Sequence, residues 1–405
     1  MTAQKTKILY VDQGIAFGGA IKSLSYLIAN LDRARYTPVL VSEMPKHILS
    51  AHMPNWLKVY QVKHYINYSH WMKLNTLLKR RLHNRKLRKT IIYFCSLFKL
   101  FSNLIYAIRV ASIVQRECPN IIHINNGMEI LEANAIALLF DKKCVVHQRG
   151  DSPSGIPEKF FYEKTERFIA VSNHTRSNMI SQGIPKDRII VLFDPTPEPR
   201  VRTKSAELRH RYGIEKRAKC FGIFGRIVEW KGQDMFVRAA VGVLEVIPSS
   251  YAFIVGDTAD GAKDFCERVM KVARESAVKD RIIFTGYVDN VDDYYNLMDL
   301  VVHASKTPEP FGMVITEAMA LGVPVIATNN GGPLDIIENG VDGILIEPGN
   351  AELLAKTIIE LLRDDEKRKK MGKKAREAVE KRFSIKPYVQ AVDRLYQEIL
   401  SVPKD

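Results

Sequence analysis

Short apolar runs recur along the whole chain with helical stretches between them, and each run has the length and flanking turn residues of a buried strand. In the first half they are Lys7–Asp12, Thr37–Ser42, Trp56–Val62, Asn120–Asn125, Lys143–Gln148, Arg167–Ser172 and Arg188–Phe193. In the second they are Cys220–Gly225, Ala252–Asp257, Ile282–Val288, Asp299–Ala304, the run ending at Ala327, and Gly343–Ile346. Strands that alternate with helices build doubly wound parallel sheets. Between the halves, Asp194-Pro-Thr-Pro-Glu-Pro-Arg200 carries three prolines, which remove amide donors and fix φ, so regular structure stops there. At 405 residues the chain also exceeds what one hydrophobic core usually supports. The expectation is two α/β domains, residues 1–195 and 196–385.

The stretch Glu309-Pro-Phe-Gly-Met-Val-Ile-Thr-Glu317-Ala-Met-Ala-Leu-Gly-Val-Pro-Val-Ile-Ala327 reads as a loop, a helix and a strand, and Asn329-Asn-Gly-Gly-Pro-Leu-Asp335 as a second Gly-rich loop. Glu309 follows the carboxyl end of a strand, where open parallel sheets bind ligands. Amides around Gly312, Met313 and Val314 open the helix, so they lack intrahelical partners at the positive end of its dipole, which suits a phosphate. Glu309 and Glu317 are spaced to touch different parts of one extended ligand. Arg226 and Lys231 frame another loop between strand and helix, where two cations can clamp a diphosphate or simply be solvated. Gly18-Gly19 lies in a comparable first loop, and a tight turn without a ligand reads the same way. His123 and His147 stand on strands; such histidines are more often satisfied core residues, but His147 leads into the polar loop Gln148–Asp151.

The pattern Glu309, seven residues, Glu317, with Ala-Met-Ala-Leu-Gly-Val-Pro-Val-Ile-Ala and Gly331-Gly332 behind it, resembles the nucleotide-sugar signature of retaining GT-B glycosyltransferases, specifically glycosyltransferase family 4. Gly225-Arg226 followed by Lys231-Gly232 is similar to the same family. The resemblance implies the GT-B fold: two Rossmann-like domains facing across a cleft, the first receiving the acceptor, the second holding the nucleotide sugar. The helical run Lys386–Leu400, within 386–405, would then cross back to the first domain. It implies that Arg226 and Lys231 hold the diphosphate, that Glu309 contacts the transferred sugar, and that Glu317 hydrogen-bonds the ribose. Phe311, Gly312, Met313 and Val314 would line the phosphate seat, and Val288 the base. Gly18 and Gly19 would approach the diphosphate or the acceptor, and His147 would lie beside the transferred sugar. Asp335 replaces the more usual Glu, and Asp194-Pro195 replaces Asn-Gly at the hinge.

The chemistry fits these parts. Breaking a sugar–diphosphate bond puts negative charge on the leaving group, which Arg226, Lys231 and the helix start can stabilise. No Asp-x-Asp motif stands at a strand end, so no metal and no cofactor is expected beyond the nucleotide sugar, UDP ahead of GDP. The implied activity is retaining transfer of a hexose or related sugar to a lipid-linked saccharide in surface polysaccharide or lipopolysaccharide biosynthesis. The alternatives are a soluble acceptor and a nucleotide-sugar epimerase.

Charge adds a location. The net charge is +15, and from Met44 to Arg116 there is no Asp or Glu against 14 Lys and Arg, seven of them between Lys79 and Lys89. Such a block is an interaction surface or a solvated helix face. Phe94, Leu97, Phe98, Phe101, Leu104, Ile105 and Ile108 follow at helical spacing. Lys99 and Arg109 interrupt the ~20 uncharged residues a membrane span needs, so no span is expected. Residues 79–101, with cations and apolar groups interleaved, suit an anionic membrane surface, while Leu104–Val114 suit a core-facing helix. A nucleic-acid partner would draw only on Lys79–Lys89 and lacks a recognised module. Five scattered cysteines give no disulfide framework, and Lys5 and Lys7 lead straight into a strand, so the expectation is a protein without a signal peptide, peripheral at the cytoplasmic face of the membrane.

Overall fold

The computed structural model describes residues 5–14, 18–65, 78, 85–127, 131–150, 165–259 and 261–402. Lys79, Arg80, Arg81 and Asp151 lie outside the described residues, as do the side chains of Arg85, Lys86, Arg88, Lys89, Phe94 and Leu97. The chain forms two compact units: Met1–Val171 with Thr175–Leu192 and Lys386–Asp405, and Ser172–His174 with Phe193–Ile385.

In the first unit the described strands are β1 Thr6–Asp12, β2 Tyr36–Ser42, β3 Lys58–Gln61, β4 Ile121–Asn125, β5 Lys143–Gln148, β6 Arg167–Ala170 and β7 Ile189–Val191. They form one parallel sheet in the order β3-β2-β1-β4-β5-β6-β7. The order reverses between β1 and β4, whose carboxyl ends carry Asp12 and Asn125 in register. That reversal is where open sheets place ligands.

Alternation along each strand sorts the side chains. Leu9, Val11, Ile122, Ile124, Val146 and Phe168 pack on one face with Tyr106, Val110 and Val114 of the helix Arg85–Glu117. Ile8, Tyr10, Ile121, Val145 and Ile169 pack on the other, against Leu24 and Ile28 of the helix Gly19–Asn30. The same face takes Tyr388, Val392, Leu395, Tyr396 and Ile399 of the helix Ile385–Ser401, a stripe at helical spacing. Each such burial contributes roughly 1.5–3 kcal/mol at most, which makes this helix an integral part of the first core.

The helix Arg85–Glu117 departs from expectation. Tyr106, Val110, Ile113 and Val114 are core, but Leu104 and Ile108 are exposed together with Tyr93, Phe98, Leu100 and Phe101. A helix apolar nearly all round cannot show from its period which face turns inward. By length and composition Thr90–Glu117 could also cross a bilayer, although its second half carries these core residues. Its end is fixed by Glu117, which accepts from Lys58 Nζ at 2.6 Å, Tyr60 OH at 2.6 Å and Lys7 Nζ at 3.0 Å.

In the second unit the described strands are β8 Lys219–Phe224, β9 Ser250–Val255, β10 Ile282–Gly286, β11 Leu300–His303, β12 Val325–Thr328 and β13 Ile344–Ile346. Their parallel order is β10-β9-β8-β11-β12-β13, which reverses between β8 and β11. The proline segment has no helix or strand, yet it is held. Thr196 N donates to the Phe383 carbonyl at 2.7 Å and Thr196 Oγ1 to Thr316 Oγ1 at 2.7 Å. Downstream, the amides of Arg202 and Thr203 donate to Asp293. Prolines leave few amides in this stretch, and those of Thr196 and Arg200 are bonded, the latter to Asp292 at 2.7 Å.

Candidate functional site

The loop after β8 is shaped by its neighbours. Gly225 has φ +122° and Gly232 φ +73°, and a Cβ on Gly232 would lie 2.0 Å from the Ala304 carbonyl oxygen, so the loop seats directly against the end of β11. The buried Gln233 side chain donates to the Arg226 carbonyl at 2.9 Å, and Lys306 N donates to the Trp230 carbonyl at 2.7 Å. The loop backbone is thus stitched at both ends. Arg226 is exposed, and among the described residues its guanidinium has no hydrogen-bond or ion-pair partner. The Lys231 ammonium lies 4.1 Å from the Trp230 ring centroid and 2.6 Å from Glu309 Oε2.

Glu309 is the centre of a buried cluster. His303 Nε2 lies 3.1 Å from Glu309 Oε2, and the Ser305 hydroxyl donates to the same oxygen at 3.1 Å. Burial alone would raise the Glu309 carboxyl, but the Lys231 ammonium and the His303 ring outweigh it and hold it at about 2. The second Gly-rich loop fixes its backbone: Gly332 N donates to the Glu309 carbonyl at 2.7 Å. A Cβ on Gly331 would lie 2.4 Å from that carbonyl oxygen, and Gly331 has φ +82°.

The phosphate seat follows. The Phe311 ring is buried, stacked on Phe193 with centroids 6.0 Å apart and edge-on to Phe383, so its side chain serves packing. Gly312, at φ +112°, caps the helix Met313–Ala320. Met313 and Val314 occupy its first two positions, where amides have no intrahelical acceptor. Glu317 is buried further along and accepts from Tyr295 OH at 3.1 Å, and Tyr295 stacks on Phe224 at 4.1 Å. Val288 follows the edge strand β10, beyond the turn at Gly286 with φ +66°.

Gly18, Gly19 and His147 belong to the first unit. Gly18 caps the helix Gly19–Asn30, and a Cβ added to it would meet nothing within 4 Å. His147 is fully buried, with Nδ1 3.1 Å from Arg149 Nη2. Arg149 Nε donates to Asn125 Oδ1 at 2.9 Å, and Asn125 Nδ2 to Asp12 Oδ1 at 2.8 Å. Burial and the Arg149 charge push His147 well below its usual range and His123 down to about 3, so both rings are neutral at pH 7. Nε2 of each ring is buried without a hydrogen-bond partner among the described residues. His123 Nδ1 lies 2.6 Å from Tyr396 OH, which is 3.0 Å from Tyr10 OH.

The structure therefore joins Lys231 directly to Glu309, sets Gly312, Met313, Val314 and Glu317 on the adjoining helix, and puts Gly18, Gly19 and His147 in the other unit. Sequence reasoning missed His303, Ser305, Tyr295, Arg149 and Asn125. The signal for the first two was a strand ending Val-Val-His-Ala-Ser just ahead of Glu309. Among the described residues no group of three or more His, Cys, Asp or Glu side chains is arranged to hold a metal ion.

Comparison with known proteins agrees with this architecture. Residues 204–378 match the family described as "Glycosyl transferases group 1", and residues 17–193 match "Glycosyltransferase Family 4". The chain is similar to N-acetyl-alpha-D-glucosaminyl L-malate synthase of Bacillus anthracis, 27% identical over 320 residues, 75% of this chain and 81% of the relative. It is similar to the lipopolysaccharide core biosynthesis mannosyltransferase LpsB of Rhizobium meliloti, 26% identical over 250 residues, 60% of this chain and 68% of that one. Its fold matches that of Anabaena Alr3699/HepE, solved in complex with UDP and glucose, with a TM-score of 0.79 at 22% identity over 97% of this chain and 100% of that one. With both halves matched and both sheets in place, the chain belongs to the GT-B glycosyltransferases of group 1 and family 4.

Proposed function

We propose that this glycosyltransferase moves a hexose or related sugar from a uridine diphosphate sugar to a lipid-linked saccharide, with retention at the anomeric carbon and without a divalent ion, in surface polysaccharide or lipopolysaccharide assembly. The observation that carries the reading is the buried Glu309 carboxylate held by Lys231, together with an exposed Arg226 that has no partner among the described residues and the helix-start amides of Met313 and Val314. As the bond between the anomeric carbon and the diphosphate oxygen breaks, charge grows on the diphosphate. Lys231, Arg226 and the helix start are the groups that meet it. Glu309, ionised at neutral pH, cannot act as an acid there; it orients the sugar and offsets the positive charge developing on it. The acceptor oxygen bonds to the same face of the anomeric carbon, and its proton passes to the departing diphosphate. The UDP and glucose bound by Alr3699/HepE support the choice of uridine. Glu317, held by Tyr295, takes the ribose.

Lys231→Ala and Arg226→Ala should each weaken nucleotide-sugar binding by about ten- to a hundredfold, the worth of one charge-assisted hydrogen bond. Titration with UDP and GDP, followed by turnover on a panel of nucleotide sugars, measures this and ranks the nucleotides. Unchanged kinetics in both variants would reject the diphosphate clamp.

The acceptor half rests on the helix Arg85–Glu117. Phe98, Leu100, Phe101, Leu104 and Ile108 are exposed on it, within a segment that carries 14 cations and no carboxylate. Near an anionic leaflet each cation adds ~1 kcal/mol, and the inserted apolar groups add a part that salt does not screen. Sedimentation with anionic vesicles should be strong for the wild type and reduced at least tenfold when Phe98, Phe101 and Leu104 are changed to serine. Equal sedimentation of both proteins, or none, leaves a soluble acceptor as the reading; the L-malate in the name of the Bacillus anthracis relative is the observation that favours it.

A further inference from the structure

Lys231 has two claims on it. In the structure its ammonium is 2.6 Å from Glu309 Oε2, whereas the proposed reading assigns it to the diphosphate. The two compete for its one charge, and the diphosphate carries more charge than one carboxylate. Drawing Lys231 away leaves Glu309 with His303, the last residue of β11, and Ser305, two residues beyond it. A carboxylate buried to this degree does not keep its charge without a cation.

The remaining groups cannot replace that cation. Lys306 pairs with Asp234 of the helix Gln233–Val246 at 2.7 Å. Arg226 is exposed on the loop, and Glu317 on the following helix is bonded to Tyr295. What can change is a proton. Because a carboxylate only accepts, the ring nitrogen facing it is Nε2–H, and His303 Nδ1 is a buried nitrogen with no hydrogen-bond partner among the described residues. We propose that nucleotide-sugar binding is an ion-pair exchange at Lys231, in which the diphosphate takes Lys231 and the His303–Glu309 pair takes up one proton in its place. His303 is a positioning residue: it acts through Glu309. Of the contributions that hold the Glu309 carboxyl down against burial, Lys231 is the largest, as the exchange requires. Since the bound state holds the extra proton, UDP affinity rises as pH falls and levels off once the free pair is protonated.

This rests on the nucleotide reading above, and UDP itself is the probe. Calorimetric titration in buffers of different ionisation enthalpy reports protons taken up per UDP bound. The wild type should take up as much as one proton near neutral pH. Glu309→Gln should take up none beyond the nucleotide's own, and should bind UDP about tenfold more tightly, because Lys231 is released from its partner. His303→Gln keeps a hydrogen bond to Glu309 but leaves only the carboxylate to take the proton, so the midpoint of uptake should move. Equal uptake in wild type and Glu309→Gln, or a midpoint unmoved by His303→Gln, overturns the exchange. A wild type that does not bind UDP at all overturns the nucleotide reading instead. Should His303→Gln fail to fold, the comparison with Glu309→Gln still decides.

Discussion

Glu309→Gln should lower turnover at saturating nucleotide sugar by roughly a hundred- to a thousandfold, the range found when one preorganised electrostatic group is removed from a dry site. The substitution keeps shape and hydrogen-bonding reach and removes only charge. That charge is held ready before substrate arrives: Lys231, His303 and Ser305 all converge on Oε2, and the carboxyl ionises at about 2. Once the diphosphate has taken Lys231, His303 and Ser305 still hold the carboxylate in place as the sugar becomes cationic. The loss should appear in kcat, because UDP binding is not weakened. Turnover within tenfold of wild type would remove Glu309 from the chemistry and leave it a structural partner of Lys231.

Gly332→Ala should cost as much activity by an unrelated route. A Cβ there would lie 2.2 Å from the Phe311 carbonyl oxygen, 2.4 Å from its Cα and 2.6 Å from its carbonyl carbon. These are backbone atoms, and Phe311 cannot step aside because its ring is fixed against Phe193 and Phe383. Gly332 has φ −56°, so its conformation is an ordinary one and the cost is purely steric. Overpacking of this kind costs about 1–3 kcal/mol, which lowers Tm by about 2–12 °C for a unit of this size. It also parts Gly332 N from the Glu309 carbonyl, 2.7 Å away, and so misplaces the carboxylate. Gly18→Ala, which meets nothing within 4 Å, should melt like wild type. A Gly332→Ala protein with native melting and native turnover would show that the two loops are not coupled.

The sheets were legible in the sequence because each strand is a short apolar run between turn residues, and burial on both faces makes such runs continuous. Glu309 and its spacing to Glu317 were legible too, since a loop-to-helix motif is local. Its partners were not. His303 and Ser305 reach the carboxylate because β11 ends beside the loop that follows it, a fact of register. Arg149 meets Asn125 and, through it, Asp12 only because β5, β4 and β1 are neighbours in the sheet. The face of the helix Arg85–Glu117 was misjudged at Leu104 and Ile108 for the opposite reason: its pattern contains two apolar stripes, and only the sheet selects Tyr106, Val110 and Val114.

The helix Ile385–Ser401 gives the chain an order of assembly. Tyr10 on β1 touches Tyr396, 386 residues later, and the face that carries Ile8, Tyr10 and Ile121 is closed by residues from that helix. During synthesis, the first strands to leave the ribosome must wait for a helix made after the whole of the second unit. The second unit, apart from its short Ser172–His174 segment, lies within Phe193–Ile385 and has all its parts earlier. The half encoded second is therefore the half that can be finished first, a reversal of the usual N-terminal lead. Meanwhile the nascent first half exposes an apolar sheet face, a surface that chaperones bind and that the helix Ile385–Ser401 removes from their reach.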